Sequence, residues 1–360
     1  MFRLRLYSKT KDQDVVRELS AKQMVKTLII GDLHFNDKPR GLLDAQISFT
    51  KRILSEGYEK GCRKVVFLGD LMMHRKPSPS VLLALKDVIQ HASTLFPSVV
   101  ILRGNHDSET KADDGVTALS LFAGPKVFVV RHTQNDVFAA HTYIPHYEDE
   151  DRILEDLQSV PEGFTVFGHF GYHGALNSAG DADFTLRKSH FAHRTVLGHI
   201  HGYKKDGNIT LLGTPFSTSF QECGKENFYA TLEEDTLEVH PIDFGIRHLQ
   251  MDYDSVEENL DWINDKNYFT LLRINMSSLG SDQEGVSDLL SKLDVGFYEI
   301  KYKPLIDTTD EFEVDGDKEF VFEIGDDLID EYINANKTQI GKQELLEGLR
   351  IINENQRSRD

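Results

Sequence analysis

Five short motifs in this sequence join an apolar, β-branched run to polar side chains of the kinds that bind metal ions. They are Asp32-Leu33-His34, Gly69-Asp70, Gly104-Asn105-His106-Asp107, Gly168-His169 and Gly198-His199-Ile200-His201. Apolar runs of this kind are typical of buried parallel strands, and open α/β sheets bind their ligands at the carboxyl ends of such strands. The motifs therefore predict an α/β fold whose polar residues gather at the strand ends.

The donor atoms in these motifs suit a pair of divalent cations. Asp32 and His34 are two residues apart in an extended segment, so their side chains point to the same face. The Asp70 carboxylate has two oxygens and can bridge two cations about 3.5–4 Å apart. His201 can serve as a further ligand of the first of these cations. Three further side chains can complete the shell of the second cation: Asn105, His169 and His199.

Mixed nitrogen and oxygen ligation suits two first-row divalent ions such as Mn²⁺, and Zn²⁺ or Fe²⁺ are also allowed. The motifs contain no Cys, which argues against a closed structural zinc site. A pair of ions would activate water and neutralise phosphoryl oxygens, so the motifs predict a two-metal hydrolase. His106, with an intrinsic pKa near neutrality, is the candidate to protonate the leaving oxygen. Asp107 could orient that imidazole or cap the following turn.

The chain has 360 residues, enough for two or three domains, and a net charge of −19. Residues 307–360 hold 16 acidic and 6 basic side chains and so supply −10 of that charge. This balance argues against non-specific coating of DNA but allows a local basic surface beside a metal site. Apolar runs stay well short of the ~18 residues of a membrane span, and we do not expect the protein to be secreted. Since Cys62 and Cys223 are expected to be free thiols, we expect a cytoplasmic protein.

The hydrophobic pattern predicts a layered α/β catalytic domain over residues 25–247, with two stacked sheets and helices outside. Strands at 126–131 and 136–141 are expected to pair with each other. Those at 208–212, 227–232 and 236–240 are expected to close the second sheet. The other expected strands lie at 25–30, 63–68, 98–102, 164–167 and 195–197, and the expected helices at 42–57 and 78–95.

The rest of the chain is expected to form separate parts. Residues 1–24 are an N-terminal extension, and residues 248–306 are expected to form a small β-α-β accessory (capping) domain. Its helix is headed by a capping box, Ser281-Asp-Gln-Glu284. Residues 307–360 are predicted to be an acidic linker followed by two short amphipathic helices. Those helices could pack on the protein's own core or dock on a helix of a partner.

Over residues 25–220 the five motifs resemble those of the calcineurin-like metallophosphoesterase superfamily. Within it, Gly69-Asp-Leu-Met-Met-His-Arg-Lys-Pro-Ser-Pro-Ser80 is similar to SbcD-type DNA double-strand-break nucleases, where Gly-Asp-Leu-Phe-His-x-x-x-Pro-Ser is typical. Gly213-Thr-Pro215 and the β-α-β domain add to this resemblance. Glu331-Tyr-Ile-Asn334 resembles the carboxyl end of phage SbcD-like recombination nucleases.

The resemblance implies a Mn²⁺-dependent 3′-to-5′ exonuclease and structure-specific endonuclease that processes DNA ends in recombination, repair and replication. It implies His106 as the catalytic histidine. It also implies a homodimer of nuclease subunits and a coiled-coil SbcC-like ABC-type ATPase that binds the C-terminal tail. The implied ligands are Asp32, His34, Asp70 and His201 for one ion, and Asp70, Asn105, His169 and His199 for the other.

The chain departs from the family pattern at Met73, where the family often has His, and His74 follows one position later. Transfer of the auxiliary role to His74 and loss of that role both remain open. Arg75 and Arg103 are further candidates to bind the substrate. An alternative enzyme would act on small nucleotide or phosphoprotein substrates, and a third hypothesis is a scaffold that has lost its metals. The filled ligand positions argue against the scaffold.

Overall fold

Two six-stranded sheets pack face to face in the computed structural model, which describes residues 25–175, 184–276 and 283–302. The strands of the first sheet are β1 (Thr27–Ile30), β2 (Lys64–Phe67), β3 (Ser98–Leu102), β4 (Val127–Val130), β11 (Asn227–Glu233) and β12 (Thr236–Ile242). Their order across the sheet is β12-β11-β1-β2-β3-β4. β1 to β4 are parallel, and β11 joins them antiparallel along β1.

The second sheet has the order β5-β6-β7-β8-β10-β9. Its strands are β5 (Gln134–Asp136), β6 (His141–Ile144), β7 (Thr165–Gly168), β8 (Thr195–Leu197), β9 (Lys204–Asp206) and β10 (Ile209–Leu211). The four central strands are parallel and both edge strands are antiparallel to their neighbours. Each sheet therefore presents several parallel strand ends in one direction, as the motifs require.

The helices lie on the outer faces of the two sheets. α1 (Leu42–Glu59) and α2 (Pro79–Leu95) cover the first sheet, and α3 (Glu150–Gln158) covers the second. Side chains alternate along β1, so Leu28 packs in the core with α1 and α2. Its neighbour Ile29 packs in the core between the sheets with Phe167 of β7. The predicted α/β fold of two sheets with helices outside is confirmed.

Two predictions of strand pairing are wrong. β4 does not pair with residues 136–141, because it extends the first sheet beside β3. The strand predicted at 136–141 is itself wrong, since residues 137–140 form a turn that connects β5 and β6 of the second sheet. Likewise, β11 and β12 close the first sheet rather than the second. Both pairing errors have one physical reason. Local hydrophobic pattern predicts that a segment is extended, but which neighbour it meets depends on contacts distant in sequence.

A third sheet contains three parallel strands, β13 (Gly245–Asp252), β14 (Tyr268–Met276) and β15 (Phe297–Tyr302). The short helix α4 (Leu260–Ile263) and the helix α5 (Gln283–Ser291) accompany it, and Leu272 and Leu289 pack in its small core. Ile246 instead packs in the core that contains α1, so the sheet is attached to the catalytic part. The expected accessory boundary at residue 247 falls inside β13.

Some predictions lie outside the described residues. They concern the extension at 1–24, the start of the capping box at Ser281, and both amphipathic helices of the tail. All described residues fall within one unit of the chain, Met1–Leu305. Among them, we find no helix that is long and apolar enough to cross a membrane. Cys62 and Cys223 are free thiols, as expected.

Candidate metal centre

The polar residues of the five motifs come together from both sheets. The first three motifs follow β1, β2 and β3 of the first sheet, and the last two follow β7 and β8 of the second. Hydrogen bonds connect the motif loops directly. The His34 amide donates to the Asp70 carbonyl oxygen at 2.9 Å, and the His199 amide donates to Oδ2 of Asp32 at 2.8 Å. The site is therefore built where the strand ends of the two sheets meet.

A first cluster contains Asp32, His34 and His201, whose candidate ligand atoms all lie within 4.8 Å of one another. The two imidazole Nε2 atoms face each other at 3.0 Å. Oδ1 of Asp32 is buried and has no hydrogen-bond partner in the protein. A buried oxygen without a partner costs free energy unless a cation or donor meets it, so this donor set fits a divalent ion.

A second cluster contains Asp70, His169 and His199, again with ligand atoms within 4.8 Å of one another. Asn105 joins it, because its Oδ1 lies 3.1 Å from Nε2 of His169 and 3.0 Å from Nδ1 of His199. Oδ2 of Asp70 lies 3.4 Å from Nε2 of His169 and 3.8 Å from Nε2 of His34. One carboxylate oxygen therefore lies between the two clusters.

The backbone at this site is held in conformations that ordinary residues rarely adopt. His34, Asp70 and His199 have positive φ angles of 46°, 47° and 76°. Such conformations cost about 1–3 kcal/mol each and persist when the surrounding structure holds them in place. Gln46 of α1 supplies part of that restraint, because its amide donates to the His34 carbonyl oxygen at 2.9 Å. Strain concentrated on three of the predicted ligands is typical of a functional site.

Burial and charge together determine the protonation of the clusters. Burial raises the pKa of Asp32 to about 6, although His169 opposes this rise. Burial also disfavours ionised Asp70, but His169 and His34 outweigh it and hold the pKa of that carboxyl well below its usual range. Burial lowers the pKa of His34 to about 3. Asp70 thus supplies carboxylate charge and His34 a neutral imidazole, both of which a divalent cation requires. Burial opposes a charged His169, but Asp70 and Asp32 raise the pKa of that ring to about 9, so an ion bound there would displace a proton.

His106 lies next to both clusters without belonging to either. Its amide donates to Oδ1 of Asp70 at 2.8 Å, and its ring lies edge-on to His34 with centroids 5.1 Å apart. Nδ1 of His106 is 2.6 Å from the carbonyl oxygen of Met73. A carbonyl can only accept, so Nδ1 carries the hydrogen and Nε2 is the ring nitrogen left for chemistry.

The hydrogen bonds of Asp107 show that its carboxylate does not orient the imidazole of His106. Its carboxylate accepts from the Gly104 amide at 3.0 Å and from the Met72 amide at 3.2 Å. Since His106 bonds to Met73 instead, Asp107 joins the loops after β2 and β3 rather than orienting the imidazole. Burial raises the pKa of Asp107 to about 7.

The candidate substrate-binding residues have different environments. His74 is exposed, whereas Arg103 is only 1% exposed. The guanidinium of Arg103 donates to Oγ of Ser108 and to the His146 carbonyl oxygen, so it supports the loops from inside. Arg75 is partly exposed and lines a cavity of about 360 Å³ that also reaches Asn105 and His199.

This cavity contains residues that lie outside the five motifs. His146 stacks on His199 with ring centroids 5.8 Å apart, and burial lowers its pKa to about 4. Tyr147, Phe184 and Lys111 also line the cavity. His146 follows β6, a buried strand, so its position at a strand end was the available signal. The other three carry no pattern that distinguishes them from ordinary surface or core residues.

Residues 25–203 match the calcineurin-like phosphoesterase family, and they form a domain of that family. Together with the two ligand clusters, this makes the protein a metal-dependent phosphodiesterase. Among solved structures the chain is similar to the nuclease MPE of Pseudomonas putida. The two are 17% identical with a TM-score of 0.31, over 61% of this chain and 74% of the other. The comparison with curated proteins gives no match.

Proposed function

We propose that this protein is a Mn²⁺-dependent DNA nuclease that acts on DNA ends, with 3′-to-5′ exonuclease and structure-specific endonuclease activity. The observation that carries the two-metal chemistry is the position of Asp70, whose Oδ2 lies within 3.8 Å of a ring nitrogen in each cluster. Two cations bridged by one carboxylate can stabilise both the attacking and the leaving oxygen of a phosphoester displacement.

In this proposal each cluster holds one ion. Asp32, His34 and His201 bind the first, and Asp70 is shared. Asn105, His169 and His199 bind the second. The tautomers fit this assignment for two of the histidines. Nδ1 of His169 is 2.8 Å from the Leu68 carbonyl oxygen and Nδ1 of His201 is 2.6 Å from Glu222, so both carry hydrogen there and present Nε2 to the ions.

His106 is proposed to be the general acid. Its Nδ1–H bond to the Met73 carbonyl fixes the plane of the ring, and a general acid at this position carries its second hydrogen on Nε2. Nε2 then releases its proton to the leaving oxygen. The Met73 side chain has no part in this role, because the main-chain carbonyl is the acceptor. The substitution of His by Met at this position is therefore compatible with an intact catalytic histidine.

A nucleic-acid substrate is supported by the surroundings of the second cluster. Arg75 and Lys111 line the cavity beside Asn105 and His199 and can contact phosphates, and the half-buried Phe184 offers an aromatic side chain to a base. The Gly69–Ser80 stretch and Gly213-Thr-Pro215 add the SbcD resemblance. We further propose an SbcC-like ATPase as the partner of residues 307–360, a homodimer of nuclease subunits, and a role in DNA repair and recombination in the cytoplasm.

The full chain with Mn²⁺ should shorten an end-labelled linear duplex and should leave a closed circular duplex intact. The comparison substrates are a cyclic nucleotide, a nucleotide monoester and a phosphopeptide. Asp70→Asn is the control that removes the shared ligand and should abolish every activity. Rapid turnover of the small substrates with no shortening of the linear duplex would contradict the DNA-end proposal while leaving the metallophosphoesterase chemistry intact.

The proposed partner has a separate test. Deletion of residues 320–360 should leave hydrolysis of a generic phosphodiester unchanged and abolish co-purification with an SbcC-type ATPase from the same genome. Retention of the ATPase by the deleted chain would show that the tail is not the docking segment. The full chain, co-expressed with the same ATPase, is the reference.

A further inference from the structure

Glu222 is a buried carboxylate, only 4% exposed, that contacts the predicted metal ligand His201 on the side of its ring away from the first cluster. Its Oε1 lies 2.6 Å from Nδ1 of His201, on the side of the ring away from His34. Thr218 completes the contact, because its hydroxyl donates to the same Oε1 at 2.9 Å and its amide donates to Oε2 at 2.7 Å. Both carboxylate oxygens are therefore used, and the rotamer of Glu222 is fixed.

Such a carboxylate determines which nitrogen of the imidazole faces the cation. A carboxylate acceptor holds the hydrogen on Nδ1, so the lone pair lies on Nε2. In this protein Nε2 of His201 is the atom that faces His34 across the first cluster. Metal-bound histidines commonly have such a partner, and its loss typically weakens metal affinity by about 10–100-fold.

The segment that carries Glu222 is held by the third sheet. The Ser217 amide donates to the Ile246 carbonyl oxygen of β13 at 3.1 Å. Oγ of Ser217 lies 2.9 Å from Nδ1 of His248, also in β13. The His248 ring packs edge-on against Phe220 with centroids 4.8 Å apart. A continuous set of contacts thus runs from β13 through residues 217–222 to His201.

We propose that Glu222 is a positioning residue that orients His201 towards the first metal ion, and that β13 holds Glu222 in place. This inference rests on the proposed two-ion site and names the residue that completes it. It gives the third sheet a defined connection to the chemistry. The connection runs through the first ion alone, because the second cluster takes its restraint from Asn105 and the Leu68 carbonyl instead.

The test measures Mn²⁺ binding to the metal-stripped full chain by titration calorimetry. Glu222→Ala should lower the affinity for one of the two ions by about 10–100-fold and leave the affinity for the other unchanged. Glu222→Gln keeps an oxygen acceptor of the same shape, so it should lower the affinity for the same ion by a smaller factor. His248→Ala should also act on that ion alone. Glu226→Ala, an exposed carboxylate on the same loop, is the matched control and should bind both ions normally.

A second readout needs no metal. In the ¹⁵N spectrum of the metal-free chain, His201 should carry its hydrogen on Nδ1, and Glu222→Gln should reduce that preference. Wild-type affinity for both ions in Glu222→Ala would overturn the inference, as would equal weakening of both ions in Glu222→Gln at unchanged thermal stability. A wild-type chain that binds fewer than two ions would contradict the proposed function itself, which separates the two failures.

Discussion

The Nε2 atoms of His34 and His201 face each other at 3.0 Å although 167 residues separate them in the chain. His34 follows β1 of the first sheet, and His201 follows β8 of the second. Neither sheet holds a complete ligand set, so the first cluster exists because the sheets pack face to face. Any change that shifts one sheet against the other should therefore act on metal binding before it acts on the chemistry.

His106→Ala should keep both ions and lose most of the catalytic rate. The side chain contributes no atom to either cluster, but as a general acid it is worth about 10²–10⁴-fold in rate. Titration calorimetry with Mn²⁺ and the kcat for a phosphodiester measure the two effects separately. Loss of an ion in this variant would identify His106 as a ligand and contradict the assignment.

Gly31→Ala should destabilise the fold and weaken metal binding. A Cβ at this position would lie 1.9 Å from the carbonyl oxygen of Gly213, a main-chain atom that cannot move alone. The expected cost is about 1–3 kcal/mol in the free energy of unfolding, and Asp32, the next residue, should be displaced with the strand. Urea denaturation and Mn²⁺ titration check both effects.

The matched control is Gly124→Ala, where a Cβ would meet no atom within 4 Å. That change should alter the free energy of unfolding by less than about 0.5 kcal/mol. Equal behaviour of the two variants would show that the close approach of residues 31 and 213 is not a constraint on the fold.

His141 should make the fold less stable as the pH falls below about 6.5. The ring is buried beside Tyr143, and burial, with Lys64 adding to it, lowers the pKa of His141 to about 3. The unfolded chain takes up this proton near pH 6.5, but the folded chain does not. Stability from this group is therefore fully present above pH 6.5 and is lost at about 1.4 kcal/mol per pH unit as the pH falls towards 3.

The corresponding measurement is urea denaturation of the metal-free chain at pH 7.5 and pH 5.5. The wild type should lose about 1.4 kcal/mol more between these values than His141→Gln, which cannot take up the proton. The comparison cancels the contributions of the other histidines. Equal losses in the two proteins would mean that the buried ring accepts its proton in the folded state.

The sequence predicted the strands and the residues at their ends because both signals are local. A β-branched run followed by Gly and Asp or His can be recognised in a short window, and β1, β2 and β3 all appeared where the pattern indicated. The sheet to which each strand belongs could not be predicted in this way. The segments that became β4 and β11 were recognised as strands but assigned to the wrong neighbours, since pairing depends on distant contacts.

The supporting residues of the site could not be predicted in the same way. Glu222 reaches His201 across 21 residues of loop and strand, and a single Glu in a loop has no pattern that marks it. Arg103 is the opposite case, a residue that was predicted to lie at the site but supports it from the interior. Its place beside a motif suggested contact with phosphates, but its guanidinium is buried and bonded to Ser108 and the His146 carbonyl. In both cases the tertiary environment of the side chain, rather than its position in sequence, determines its role.

The most direct test of the account is the number of Mn²⁺ ions bound by the metal-stripped full chain, measured by titration calorimetry for the wild type, Asp70→Asn and Asp32→Asn. We expect two ions per wild-type chain. Asp70→Asn should lower the affinity for both ions by at least about tenfold, since one carboxylate serves both clusters. Asp32→Asn should lower the affinity for one ion only. A single ion in the wild type, or an Asp70→Asn chain that keeps one ion at full affinity, would contradict the bridged two-metal centre.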